Sequence, residues 1–144
     1  MVYRDLFLLS MPLLTCLSCP MVFPTDLEED QITLIVFNSL INDTKNYITK
    51  IAHRGILLGA MRRLQKNHML NFTVTEYPDY GPFLVSVNGL ARNDTQKTYW
   101  EILDKLQNGT IIRPDVGVGC FIPNPNDTVI LKFTTWKKKD VTTV

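Results

Sequence analysis

One stretch of the chain carries a helical period, and any fold open to this sequence has to be built around it. Ile56, Leu57, Ala60, Met61 and Leu64 fall at i, i+1, i+4, i+5 and i+8, while Arg62, Arg63, Gln65 and Lys66 occupy the other side. That spacing predicts a single amphipathic helix of about three turns, stable only if its Met and Leu stripe is buried. The basic side reads as a solvated face. The segments around it read as strands. Residues 31–38 are rich in β-branched side chains, the polar triplet Asn42-Asp43-Thr44 marks a turn, and residues 47–52 can pair back as a hairpin.

Beyond the helix, Phe72 and Val74 alternate with Asn71, Thr73 and Thr75. Pro78-Asp79-Tyr80-Gly81-Pro82 is a turn by its Pro and Gly content, residues 83–87 form a strand, and Asn88-Gly89 is a hairpin signal. Residues 98–103 read as a strand, with a short helix as the alternative; Asn108-Gly109 marks another turn. Val129, Leu131 and Phe133 alternate with Ile130, Lys132 and Thr134 in a last strand. The order is strand, strand, helix, then four strands. This predicts an α+β class, a single β-grasp-like domain with one helix packed on a mixed or antiparallel sheet.

Composition narrows the function classes. The chain has 144 residues, 45% hydrophobic and 20% charged, with a formal net charge of +1. That balance argues against a nucleic-acid partner, which wants a basic stripe, and against a disordered chain. Two His and three Cys leave too few soft ligands for a zinc cluster. His53 and His68 read as surface or structural histidines. No nucleophile–base pair or phosphate loop is apparent, so no catalytic residue is assigned, and Gly117-Val118-Gly119 reads as a bend or bulge.

The first residues predict export. Arg4 precedes the apolar run Leu6-Phe7-Leu8-Leu9-Ser10-Met11-Pro12-Leu13-Leu14, and Cys16 and Ser18 are small residues suited to cleavage. Residues 1–18 are expected to be a signal peptide; the run is shorter than the roughly 20 residues of a spanning helix, so no membrane span is expected. An anchoring or buried N-terminal helix is the alternative. Residues 19–30, with two Pro and an acidic run, read as an exposed leader, residues 31–136 as the domain and 137–144 as a charged tail. Five sequons, at Asn42, Asn71, Asn93, Asn108 and Asn126, are more than the one or two that ten Asn among nineteen Ser and Thr would give by chance. They predict a secreted, extracellular glycoprotein. A Cys19–Cys120 bridge and a lone buried Cys120 both stay open, the second favoured because a free Cys behaves as a small core hydrophobe.

Several motifs together resemble one family. Residues 56–65, Tyr80-Gly81-Pro82-Phe83, residues 86–91, residues 98–103, Gly117-Val118-Gly119 and Leu131-Lys132-Phe133-Thr134-Thr135-Trp136 resemble, in order, the C-terminal β-domain of transcobalamin, intrinsic factor and haptocorrin. These are secreted carriers of cobalamin, in which the vitamin lies between a helical domain and this β-domain. The resemblance implies cobalamin or a related corrinoid as carried ligand rather than cofactor, and a separate helical-domain protein as a partner for a chain holding only the second half. The cobalt-coordinating histidine, where the family has one, belongs to the missing domain.

Carried over residue by residue, the family's contacts fall on Asp79, Tyr80, Gly81, Pro82, Phe83 and Leu84, and on Trp100, Glu101, Ile102 and Leu103. A corrin ring is a mostly apolar disc fringed by amides, which suits an aromatic surface with backbone donors and acceptors at its rim. Trp100 would supply area and an indole N–H. Taken alone, Trp100 reads as core and the Tyr80 turn as a turn; the resemblance reverses both readings. Glu101 stands where the carriers usually show Gln, replacing an amide that can donate with an acceptor. Residues 104–116 depart from the family, and Asp127, in a sequon and an expected surface turn, is left out of the site. The competing expectation is a secreted protein-interaction module that keeps the fold and has lost vitamin binding. Trp100 and Tyr80 exposed together on one concave face would favour the carrier; Trp100 in the core would favour the alternative.

Overall fold

A computed structural model describes residues 28–136; the expected signal segment, most of the leader, Cys16, Cys19 and the charged tail lie outside the described residues. The fold is mostly β, with one short helix and two sheets. The chain opens with the hairpin β1 (Glu29–Asn38) and β2 (Asp43–Ala52), followed by α1 (Leu57–Lys66). β3 (Phe72–Tyr77), β4 (Gly81–Val87) and β5 (Leu90–Ala91) form a three-stranded sheet. β6 (Thr98–Lys105), β7 (Ile111–Ile112) and β8 (Thr128–Thr135) complete a five-stranded sheet in the order β2-β1-β8-β6-β7. β1 and β8 run parallel at its centre and its other pairs are antiparallel, so the sheet is mixed.

The period-two pattern explains which face is covered. Ile32, Leu34 and Val36 of β1, Val129, Leu131 and Phe133 of β8 and Trp100 of β6 alternate onto one face. Leu57, Leu58, Ala60, Met61 and Leu64 of α1 are buried in the same core, as are Phe72, Leu84 and Val87 of the small sheet. The basic side of α1 stays wet, and Arg63 reaches the Glu29 carboxylate at 2.7 Å, which holds that carboxyl below its ordinary pKa. Among the described residues no helix is long and apolar enough to cross a membrane.

The start of α1 is completed from elsewhere. Ile56 offers no capping side chain; instead Leu57 N–H donates to the Phe121 carbonyl at 2.8 Å and Leu58 N–H to the Val118 carbonyl at 2.9 Å. Two of the donors that every helix start leaves free are thus met by the turn at residues 117–121. The Gly117-Val118-Gly119 motif is therefore a helix-capping bend. It also seats the β3–β4 turn, because a Cβ on Gly119 would lie 2.5 Å from Pro82 Cδ.

Several expectations change. Two sheets replace the single one, since β3–β5 fold as a separate meander against β6. β1 begins at Glu29 rather than near Gln31, and the first turn ends at Asn42 (φ 56°), so Asp43 and Thr44 already belong to β2. Residues 98–105 are a strand, which removes the short-helix alternative. The Asn88-Gly89 hairpin forms with both residues at positive φ, 49° and 82°, as a two-residue turn between twisted strands requires. Cys120 is exposed rather than buried, because Val118 and Phe121 take the inward positions of its turn. Asp127 is 2% exposed, inside the domain rather than on a surface turn. His53 takes a structural place, with Nδ1 3.0 Å from Asp30.

Candidate functional site

An open groove of about 530 Å³ lies between the two sheets. Tyr77, Tyr80, Pro82 and Phe83 of the β3–β4 hairpin form one wall; residues 113–117, which follow β7, form the other; residues 99–102 of β6 lie between them. Tyr77 meets Phe83 edge-on with centroids 6.1 Å apart. At one end the Arg92 guanidinium lies 5.1 Å from the Phe83 ring centroid and 6.0 Å from that of Trp136, which in turn packs on Tyr99 at 5.7 Å. A cation over aromatic faces draws them together. Asp94 balances its charge. Across the groove Glu101 is 3.2 Å from Arg113 and 4.0 Å from Lys132.

Strand geometry decides what β6 can offer. Alternation places Trp100 and Ile102 on the core face and Glu101 and Leu103 on the opposite one, so four consecutive side chains cannot point to one face, and residues 99–102 line the groove along the strand edge rather than from one side. Trp100 is 6% exposed, stacks on Phe133 at 5.0 Å, and its Nε1–H donates to the Leu90 carbonyl at 3.0 Å. It is a core side chain, and its N–H is already engaged.

The backbone supplies what the indole does not. Trp136 N–H donates to the Lys97 carbonyl, which fixes the odd-numbered peptide groups of β6 toward β8 and the even-numbered ones away from it. On that far edge Thr98 exchanges hydrogen bonds with Asn93 in both directions, and β7 pairs with Asp104 and Lys105. Trp100 and Ile102 lie in the gap, where among the described residues no strand adjoins their N–H and C=O groups on the groove side.

Of the residues expected at the site, Tyr80 (85% exposed), Pro82, Phe83, Trp100, Glu101 and Ile102 line the groove. Asp79 is exposed and Gly81 half-buried outside the lining; Leu84 is buried in the core, and Leu103 sits half-buried on the far face of the sheet. Trp100 and Tyr80 are therefore not exposed together. Tyr77, Tyr99, Arg92 and the wall from Arg113 to Gly117 were absent from the expected set. Tyr99 could have been found by alternation with Trp100; the other wall comes from the segment that departs from the family.

Fold and groove together define a small transcobalamin-like C-terminal domain, two sheets and one helix around a one-sided cleft. The chain belongs to the family described as a domain of unknown function, DUF4430, whose profile matches residues 57–135. It is 33% identical over 64 residues to transcobalamin-1 of Sus scrofa, an alignment covering 43% of this chain and 15% of that protein. The crystal structure of haptocorrin in complex with Cbi superposes with a TM-score of 0.65 at 20% identity, covering 78% of this chain and 26% of that one. A protein from Ruminococcus gnavus ATCC 29149, described as a candidate metal binder, superposes with a TM-score of 0.50 at 17% identity, covering 75% of this chain and 99% of its own. Both superpositions speak for the fold. The chain spans a minor part of the length of transcobalamin-1 and of haptocorrin. Among the described residues no group of three or more His, Cys, Asp or Glu stands together.

Proposed function

We propose that this chain is a secreted, non-enzymatic module that holds one face of a cobalamin or related corrinoid in the groove between Tyr80 and β6. The observation that carries the reading is the pairing of an aromatic wall with the open peptide edge at Trp100 and Ile102. A flat apolar ring fringed by amides needs both, a face to lie on and main-chain partners at its rim. Tyr80 and Phe83 are its side-chain contacts, Gly81 and Pro82 set the turn that presents them, and Ile102 and Trp100 act through their peptides. In this reading Glu101 shapes the rim through Arg113, while Asp79, Leu84 and Leu103 support the site without touching ligand.

The same reading takes residues 1–18 as a signal peptide, the leader from 19 up to the start of β1 at Glu29, the β-domain from there to 136 and 137–144 as tail. Asn42, Asn71, Asn93, Asn108 and Asn126 are its glycosylation sites, and all five are exposed in the fold. The sheet order, with first and last strands parallel at the centre and a helix over one face, supports a β-grasp assignment. A separate helical-domain protein would close the other side of the ligand. One face alone meets the association cost without the gain in effective concentration that two linked domains enjoy, so affinity is expected to be weaker than about 1 µM. The burial of Trp100 favours a second reading, a protein-interaction module that has lost the vitamin.

Calorimetric titration of the secreted chain with cyanocobalamin separates the two. Micromolar or weaker binding, lost in Tyr80→Ala, supports the corrinoid reading; no heat at high protein concentration leaves the interaction module. Nanomolar affinity would overturn the argument that one face binds weakly.

A further inference from the structure

Asp104 and Asp127 are 1% and 2% exposed, among the most deeply buried side chains described. Among the described residues no Lys, Arg or His lies within ion-pair distance of either. Asp127 is anchored: its Oδ2 accepts from the Asn124 backbone N–H at 3.1 Å and from Asn124 Nδ2 at 2.9 Å. Asp104 is not, and its Oδ1 has no hydrogen-bond partner. An ionised Asp104 carboxylate with neither a cation nor a donor at Oδ1 is costly in such a place. A proton shared between them resolves the conflict, since a protonated carboxyl donates where an ionised one can only accept.

The position gives this proton a structural consequence. Asp104 faces Val129 of β8 on one side and Ile112 of β7 on the other, one residue before the groove wall begins at Arg113. Asp127 opens into β8, and its carbonyl accepts from Thr33 N–H of β1 at 3.1 Å. The pair thus ties together the corner where β1, β6, β7 and β8 meet. Asp30, His53 and Arg54 share a hollow with Asn124 and Pro125, where His53 Nδ1 lies 3.0 Å from Asp30 and neither His53 nor Arg54 is within ion-pair distance of Asp104 or Asp127. Lys105 alternates to the far face, Arg113 and Lys132 are held by Glu101 on that face, and Arg63 of α1 is held by Glu29.

We propose that Asp104 and Asp127 form a proton-held latch, which fastens the β6–β7–β8 corner in mild acid and loosens it above neutrality. Burial first, and then the charge and shared hydrogen bond of Asp127, push the Asp104 carboxyl up to about 6. The folded value lies above the unfolded one, near 3.9, so the folded state binds the proton more tightly between the two. The latch contribution is therefore fully present below about pH 4 and is lost as pH rises through about 6.

Two measurements test it. Carbon-13 titration of the aspartate carboxyls in the wild-type chain should find one that titrates near pH 6; all aspartates titrating below pH 5 would overturn the latch. Thermal unfolding of wild type beside Asp104→Asn, whose amide imitates the protonated acid, should show a wild-type Tm that rises by about 5 °C relative to the variant between pH 7.5 and pH 5. Identical pH profiles in the two would also overturn it. If millimolar calcium at pH 7.5 raises the wild-type Tm as far as acid does, and leaves Asp104→Asn unmoved, the occupant is a cation and the proton reading fails.

Discussion

The two edges of β6 are built from the same residues and finished in opposite ways. Toward β8 the strand is paired along its whole length, from Thr98 with Thr135 to Lys105 with Thr128. On the other edge pairing is confined to the ends, and the middle opens into the groove. Side chain and backbone of a single residue are thereby separated: the Trp100 indole belongs to the core, and its peptide belongs to the groove. Stability and recognition in this domain are divided by atom rather than by residue, and substitutions should come apart along that line.

The sharpest way to break this division is Trp100→Ala. If the indole is core, its removal takes away the Phe133 stack and the bond to Leu90, and should cost about 3–5 kcal/mol in denaturant unfolding. A loss below about 0.5 kcal/mol would mean the ring is not structural, and would return Trp100 to the ligand surface. Next in size is Gly119→Ala. The new Cβ meets the rigid Pro82 ring at 2.5 Å, so either the helix-capping turn or the β3–β4 turn has to move. A cost of about 1–3 kcal/mol is expected, with altered Tyr80 mobility, because the same contact sets both the start of α1 and one groove wall. Unchanged stability would show that the two turns are not coupled through Pro82.

The elements that declared themselves in the sequence were those with a local cause. The stripe of α1, the β-branched run of β1, the alternation of β8 and the hairpin pair Asn88-Gly89 follow from composition, period and turn chemistry within a few residues. β5 and β7 are two residues long and carry no period; they exist because Leu90 and Ile112 lie beside longer strands. Asp127 follows Pro125 and Asn126, a run that reads as a wet turn, and its burial depends on Asn124 folding back over it. Half of the groove was legible through the Tyr80-Gly81-Pro82 turn. Its other wall is made by chain passing from β7 toward the α1 cap, a long-range arrangement with no local signature. Residues 100–103 show the same limit from the other side: alternation along a strand divides four successive side chains between two faces, so a carried-over run mixes core positions such as Trp100 with surface ones such as Glu101.

Gly59 refines the contrast at a position outside the groove lining. It sits inside α1, where glycine lowers helix stability, and a Cβ there would meet nothing within 4 Å. Gly59→Ala should therefore raise stability by about 0.5–1 kcal/mol, read as a higher denaturant midpoint at unchanged slope. A destabilised Gly59→Ala would mean that something closes over this helix face in the folded chain.

The smallest effect on stability carries the most information about function. Tyr80 stands at the tip of the β3–β4 turn, 85% exposed, with its backbone N–H bonded to the Tyr77 carbonyl at 3.2 Å and its ring directed into the groove lining. Truncating the ring removes little buried area and no hydrogen bond of the fold, so Tyr80→Ala should lie within about ±0.5 kcal/mol of wild type. Any ligand that uses the aromatic wall loses a face it was stacked on, and its retention on corrinoid resin should fall several-fold while the unfolding curve stays in place. Trp100→Ala cannot make that distinction, because a fall in retention there is inseparable from loss of the core. Equal retention of Tyr80→Ala and wild type would leave the open peptide edge of β6 as the recognising surface and remove the wall from it.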